Sequence, residues 1–490
     1  MSVKQQQLRE AVLEAEGIAT PLYAPREKIY PQSVKGRIRR IKWALLIVTL
    51  GTYYFLPFVR WYRGPGEPSQ AMLVDLVHRR FYFFSIEIWP QEVYYITGLL
   101  ILAAVGLFLM NAIAGRLWCG YLCPQTVWTD LFFWIERIVE GDRRERMLKA
   151  KQKLNLERIK EKIIKHSLWL LIAWWTGGAW VLYFADAPTL VGQLATFHAD
   201  AIAYVWIGIL TFTTYFLAGH MREQLCTFMC PWPRIQAALI DETALEITYR
   251  YDRGEPRGSA KKNMVLRKAG RPAGDCIDCR QCINVCPNGV DIRQGLQLDC
   301  IQCGLCMDAC DTVMEKIGRP TGLIAYDTDV NVKRRLEGRP ELPVRVVRPR
   351  TILYVTVIVL VGALMLYSLA TRSSVGIAAL HDRNPMFVEL SDGAIRNAYT
   401  VRILNKNTQT HSFSLEVAEL PAAHLEVIGA TQGTDGSPVI AVEPDQTFEA
   451  RALVTLPAGA QLDKEQDITF VLVDLATGAR VTARDNFFAP

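Results

Sequence analysis

Eight of the twelve cysteines stand in two runs of identical spacing, and that spacing limits the fold more than any other feature of the sequence. The first run is Cys276, Cys279, Cys282 and Cys286, followed by Pro287. The second is Cys300, Cys303, Cys306 and Cys310, followed by Asp311. Both read C-x2-C-x2-C-x3-C, the spacing with which thiolates wrap a cubane iron–sulfur cluster. Three thiolates two residues apart let one tight loop reach three corner irons, and the fourth corner is supplied from a distance. Two such runs point to two [4Fe-4S] clusters and to single-electron transfer. Zinc sites pair two C-x2-C hooks without a third cysteine two residues on. Disulfides require an oxidising compartment, which the topology below argues against.

The runs resemble those of two-cluster ferredoxins, in which the fourth cysteine of each run crosses to the other cluster. By that resemblance one cluster takes Cys276, Cys279, Cys282 and Cys310, and the other takes Cys286, Cys300, Cys303 and Cys306. Asp311 in place of a second proline bears on loop shape more than on ligation.

At 490 residues, half of them apolar, more than one domain is expected. Five apolar stretches lack Asp, Glu, Lys and Arg: Trp43–Val59, Val93–Gly115, Ser167–Ala185, Ala201–Gly219 and Thr351–Thr371. Each approaches the ~20 residues that cross a ~30 Å hydrocarbon core as a helix. Pro57 predicts a bent outer end to the first, and Gly177-Gly178 a close helix–helix contact in the third. The run Phe81–Pro90 is too short to cross and is expected to lie along an interface. Residues 1–42 lack an apolar leader segment and read as a cytoplasmic tail, with a short amphipathic helix near Leu8–Leu13.

Lysine and arginine orient the spans. Arg37, Arg39, Arg40 and Lys42 precede the first, Arg116 follows the second, and residues 137–165 are densely basic. That basic stretch is expected to lie near anionic headgroups. Asp186–Asp200 contains neither Lys nor Arg, and Arg345, Arg348 and Arg350 precede the fifth span. The first outer loop, with Arg60, Arg63, Arg79 and Arg80, is the exception. This pattern predicts a cytoplasmic N-terminus, a four-span membrane domain over 43–240 and a cytoplasmic two-cluster domain over 241–350. A fifth helix over 351–371 and an outer domain over 372–490 follow. In the last, Tyr399-Val401-Ile403, Phe413-Leu415-Val417, Phe448-Ala450-Ala452 and Ile468-Phe470-Leu472 alternate with polar or smaller residues. Turn signals at Asn405-Lys406-Asn407, Asp435-Gly436 and Thr477-Gly478 separate them. The expected fold is a cysteine-free immunoglobulin-like sandwich that docks a partner.

The remaining cysteines form two further matched pairs. Cys119 and Cys123 lie in Trp-Cys-Gly-Tyr-Leu-Cys-Pro, and Cys226 and Cys230 in Leu-Cys-Thr-Phe-Met-Cys-Pro. Each C-x3-C-P follows a pair of spans, so two spans plus a thiol pair recur as a parallel repeat. A helical C-x3-C would put both thiols on one face, and Pro124 and Pro231 mark a change of chain direction. The pairs either converge on one four-thiolate site or act separately. Thiolates select Cu(I), zinc or iron–sulfur, Met221 and Met229 suit Cu(I) further, and packing alone would need only small apolar side chains. Haem would need a buried, facing histidine pair; His166 and His220 lie at inner span ends and His198 lies outside. No Gly-rich dinucleotide loop is present in the sequence, and nothing points to nucleic acid.

From about Ile29 to Pro490 this order of motifs resembles the CcoG/FixG (also called RdxA) family, bacterial accessory proteins for assembly of the cbb3-type cytochrome c oxidase. The resemblance implies an inner-membrane cupric reductase with two [4Fe-4S] clusters that reduces Cu(II) to Cu(I). It implies Cys119, Cys123, Cys226 and Cys230 as candidate copper ligands and catalytic residues. Expected partners are copper ions, oxidase assembly factors or copper chaperones, an unidentified electron donor, membrane lipids and a second copy of the chain. Two other functions fit the motifs: a quinol-linked electron relay to a periplasmic reductase, and a non-enzymatic copper scaffold.

Overall fold

The computed structural model describes residues 28–490 apart from 65, 66, 154, 408, 421, 434, 435, 445 and 459–463. The Leu8–Leu13 helix and the Asp435 turn position lie outside the described residues. The chain divides into two compact units: one holds most of the membrane helices and the cysteine motifs, the other the C-terminal strands.

Four helices among the described residues are long and apolar enough to cross a bilayer: Arg37–Phe58, Tyr94–Ala114 and Ala201–Met221 in the first unit, and Pro349–Ala370, which begins in the first unit and ends in the second. Their outward leucines, valines and phenylalanines, such as Leu99, Phe212 and Leu360, are exposed. Water would penalise such a surface and lipid does not. The sequence predicts five spans, and the third behaves differently. Its residues belong to a 26-residue helix, Leu156–Val181, that starts in the basic stretch and carries four tryptophans and the Gly177-Gly178 pair. Those side chains dilute its hydropathy, so it falls outside that apolar set. It packs instead on Ala201–Thr214. A Cβ on Gly177 would meet the Ile207 carbonyl oxygen at 2.9 Å, whereas one on Gly178 would meet nothing. Only the first glycine of the pair lets the helices approach.

Two other expectations change. Helix Arg37–Phe55 begins before the predicted tail ends, and residues 28–36 are anchored. Gln32 N–H donates to the Asn284 carbonyl, and the Ser33 hydroxyl donates to Asp142 at 2.6 Å. The run Phe81–Pro90 forms strands Arg80–Phe83 and Ile86–Ile88, which complete a three-stranded antiparallel sheet with Met72–Asp75. Its aromatic and β-branched residues pair into a hairpin.

The second unit is β-rich. One antiparallel sheet runs His424–Val427, Gln446–Leu456, Ile395–Asn405, Val375–His381, with Val388–Glu389 also on Ile395–Asn405. The other runs Thr431–Gln432, Pro438–Val442, His411–Ala418, Glu465–Asp474, Arg480–Phe488. The alternation in the sequence selects the inward faces. Tyr399, Val401, Ile403, Phe413, Leu415, Ala452, Val454, Phe470 and Leu472 are buried in one core shared by both sheets. Tyr399 and Phe470 meet edge to face at 4.9 Å between ring centroids.

Candidate metal centres

Both long cysteine runs curl in the same way. Asp278 and Arg280 in the first loop have φ of 53° and 56°, and their counterparts Gln302 and Gly304 have 52° and 75°. Left-handed residues on either side of the middle cysteine coil the backbone, so that thiols two apart turn toward one centre. Short helix Gln281–Asn284, with Cys282, follows the first loop, and Leu305–Lys316, with Cys306 and Cys310, follows the second. Burial pushes the Cys310 thiol up to about 12, and Cys282, Cys279 and Cys276 of the other run are among the neighbours that add to this. Burial likewise lifts Cys286, with Cys303 and Cys300 next, and lifts Cys306 far above its ordinary value with Cys303, Cys300 and Cys286 adding. Each fourth cysteine thus has cysteines of the other run among its electrostatic neighbours. Val290 N–H donates to Cys286 Sγ at 3.4 Å, a backbone bond that steadies a thiolate.

All twelve cysteines are free. Among the described residues, no three His, Cys, Asp or Glu side chains close tightly enough to hold a single metal ion. A cubane needs no such cage, because each thiolate binds a different iron. The donor set fits: two groups of four soft sulfurs, largely withdrawn from water. When bound there, such clusters supply reversible one-electron transfer.

The four remaining thiols are electrostatic neighbours, although no three of them close on a single-ion site. Burial raises the Cys119 thiol to about 12, and Cys123, Cys226 and Cys230 raise it further. Burial raises Cys226 to about 12 as well, again with Cys123 and Cys230 adding. Trp118–Leu122 and Leu225–Met229 are single wide π-turns, a form that recurs at functional sites. Each ends in an extended cysteine, Cys123 or Cys230. Pro124 then opens helix Pro124–Glu140 and Pro231 precedes Trp232–Leu239, so the chain turns where the prolines predict. Met229 is 59% exposed beside the second pair.

This quartet adjoins the second long run. Cys119 shares a buried cluster with Val285, Ile301, Cys303 and Leu305. A Cβ on Gly120 would lie 2.9 Å from the carbonyl oxygens of both Ile301 and Gln302, so only glycine admits this approach. Arg116 clamps the same loop. Its N–H donates to Gln302 Oε1 at 3.0 Å and its guanidinium to the Cys300 carbonyl at 3.0 Å. Gln236, 1% exposed, accepts from Cys119 Sγ at 3.1 Å. Sequence reasoning missed Gly120, Gln236 and the clamp by Arg116. The partners lie more than a hundred residues away, and no local pattern marks them.

Buried charge fixes the surrounding helices. Arg39 Nη1 meets Asp130 at 2.7 Å and Lys42 Nζ reaches it at 3.6 Å. Burial opposes ionisation of Asp130, but Lys42 and Arg39 outweigh it and hold its carboxyl below the usual range. Glu136 is wholly buried among Arg146, Arg222 and Lys165, with Arg222 Nη2 at 2.5 Å. His166 and His220 do face each other, with ring centroids 5.9 Å apart and planes 11° from parallel. His220 is exposed, which departs from the buried pair that haem requires.

Fold and site define a membrane iron–sulfur protein of the electron-transfer class. Family models for a 4Fe-4S dicluster domain match residues 221–329, for a 4Fe-4S binding domain residues 96–141, and for the IG-like fold at the C-terminus of FixG residues 365–490. Nitrogen fixation protein FixG of Rhizobium meliloti is 45% identical over 98% of this chain and 96% of its own. Proteins RdxB and RdxA of Cereibacter sphaeroides are 47% and 46% identical, over 94% and 90% of this chain and 96% and 92% of theirs. The chain belongs to the FixG/RdxA/RdxB family.

Proposed function

We propose that this protein is a cupric reductase, passing single electrons to Cu(II) and releasing Cu(I) for assembly of a cbb3-type cytochrome c oxidase. In this reading Cys276, Cys279, Cys282 and Cys310 hold one [4Fe-4S] cluster, and Cys286, Cys300, Cys303 and Cys306 the other. Copper is substrate at Cys119, Cys123, Cys226 and Cys230. The observation that carries the reading is the seat of Gly120 on the Ile301–Gln302 backbone, which brings the thiol quartet against the second run. Soft thiolates stabilise Cu(I) over Cu(II) and so favour Cu(II) + e⁻ → Cu(I) at that place. Burial raises the Cys119 and Cys226 thiols, so binding copper there displaces protons.

The topology in this reading has five crossings, with Leu156–Val181 spanning beside Ala201–Met221. The N-terminus and residues 241–350 are cytoplasmic, and an immunoglobulin-like domain over 372–490 is periplasmic in an inner membrane. Its partners are oxidase assembly factors or copper chaperones. The test is replacement of all four C-x3-C cysteines by serine in anaerobically purified protein, with iron content and Cu(I) formation measured together. Intact iron with Cu(I) formation abolished is the expected result; unchanged turnover refutes copper at these thiols.

A further inference from the structure

At the end of the membrane helices nearest the cysteine motifs lies a cavity of about 380 Å³ that the copper chemistry does not use. His166, His220, Trp169, Lys162, Arg222 and Glu223 are among the residues that line it. Its size suits a small organic ligand. Three planar rings line it amid charged residues: Trp169 stands edge-on to His166 at 5.2 Å and to His220 at 6.2 Å, and Tyr215 behind them lies 5.2 Å from His220. The Tyr215 hydroxyl pairs with His166 Nδ1 at 2.9 Å, which leaves Nε2 of that ring for a ligand. Arg222 and Glu223 also line a second cavity, which contains Cys226 and Pro287, the residue after Cys286. Arg222 and Glu223 thus stand between the histidine cavity and one lined by Cys226 of the thiol quartet and Ile301 of the second long run.

We propose that this cavity binds the headgroup of a membrane quinol and that the quinol is the electron donor. The assignment rests on the electron-transfer reading above and names the reductant it lacks. Flat aromatic walls fit a quinone ring. Two imidazoles match the two protons that a quinol sheds, and Lys162 and Arg222 favour its anion. The step balances: both O–H bonds break and the protons pass to His166 and His220. The two electrons would be taken one at a time by the [4Fe-4S] clusters that the two long cysteine runs would hold, and the ring would depart as quinone.

Two measurements on the full-length protein in nanodiscs test this. An azido-quinone should photolabel peptides containing His166 or His220, and unlabelled quinone should compete it away. Labelling elsewhere, or labelling displaced by anionic phospholipid and not by quinone, overturns the proposal. Decylubiquinol should reduce the cluster absorbance of wild-type protein. H166F/H220F should do so roughly a hundredfold more slowly, the scale of losing a positioned base, while dithionite reduces both equally. Equal quinol rates in the two proteins overturn the proposal. Should the double variant fail to load iron, the photolabelling decides. Dithionite-reduced protein that still makes Cu(I) while quinol does nothing sinks this inference alone. Quinol reduction without Cu(I) formation sinks only the copper reading.

Discussion

Gly120 is the residue on which communication between the two kinds of cysteine motif depends. Gly120→Val would drive a branched side chain into two backbone carbonyls that cannot yield. We expect about 1–3 kcal/mol of destabilisation, read by thermal unfolding, and a slower Cu(II) reduction at unchanged iron content. Asp130 is the second such residue. Asp130→Ala strands Arg39 and Lys42 in the interior, at a cost of about 3–5 kcal/mol. Its folded carboxyl titrates below its ordinary value. Its stabilising contribution is therefore complete above the ordinary carboxylate pKa and fades as pH falls through the depressed one. Acid titration of the unfolding temperature should show a loss at that acidic step in wild type that is absent in Asp130→Ala. The raised thiols carry the opposite consequence. Cys119 and Cys226, pushed up to about 12, must each lose a proton to bind a soft metal. Apparent Cu(I) affinity should therefore climb from pH 6 to pH 8, as a competition titration would show. The cysteines themselves were legible in sequence because ligand spacing is local. The glycine and arginine that join them were not, because their partners are brought near only by the fold.

Among the elements, Leu156–Val181 and Ala201–Met221 approach closely at Gly177, against the Ile207 backbone, and at Gly219, against the Trp169 ring. Gly177→Leu should separate these helices and lower the unfolding temperature, with about 1–3 kcal/mol lost. Gly178→Leu, facing open space, should leave stability within about 0.5 kcal/mol. Thermal scans of the two variants side by side check this; equal effects would contradict the packing. The sequence marked the glycine pair but not which member mattered, since neighbouring residues on a helix point about 100° apart. Helix ends were misread for a related reason. Lack of charge marks the stretch that suits lipid, while the hydrogen-bonded helix runs on into basic residues, as at Arg37 and Leu156. The strands near Phe81 escaped notice because a short apolar run carries no clear period. In the C-terminal region the period of two was long and clean, and the inward residues it named are buried except Val417 and Phe448, which are half-buried against the same core.

For the whole molecule, the two units should respond separately to loss of metal. All the cysteines lie in the first unit and none in the second. Removal of iron should lower the unfolding temperature of the first unit only, because bound groups stabilise the state that holds them. Calorimetry before and after chelation, with near-ultraviolet dichroism reporting each transition, checks that expectation. The first membrane helix carries a consequence for biogenesis. Its N-terminal amides at Ile38 and Arg39 donate to the Asp308 carboxylate at 3.1 and 2.8 Å, from a residue 270 positions further along the chain. That helix leaves the ribosome long before its cap has been made. It must enter the bilayer with those amides solvated and wait there. The cap arrives on the helix Leu305–Lys316 that carries Cys306 and Cys310, so the earliest segment to be inserted is among the last to be finished.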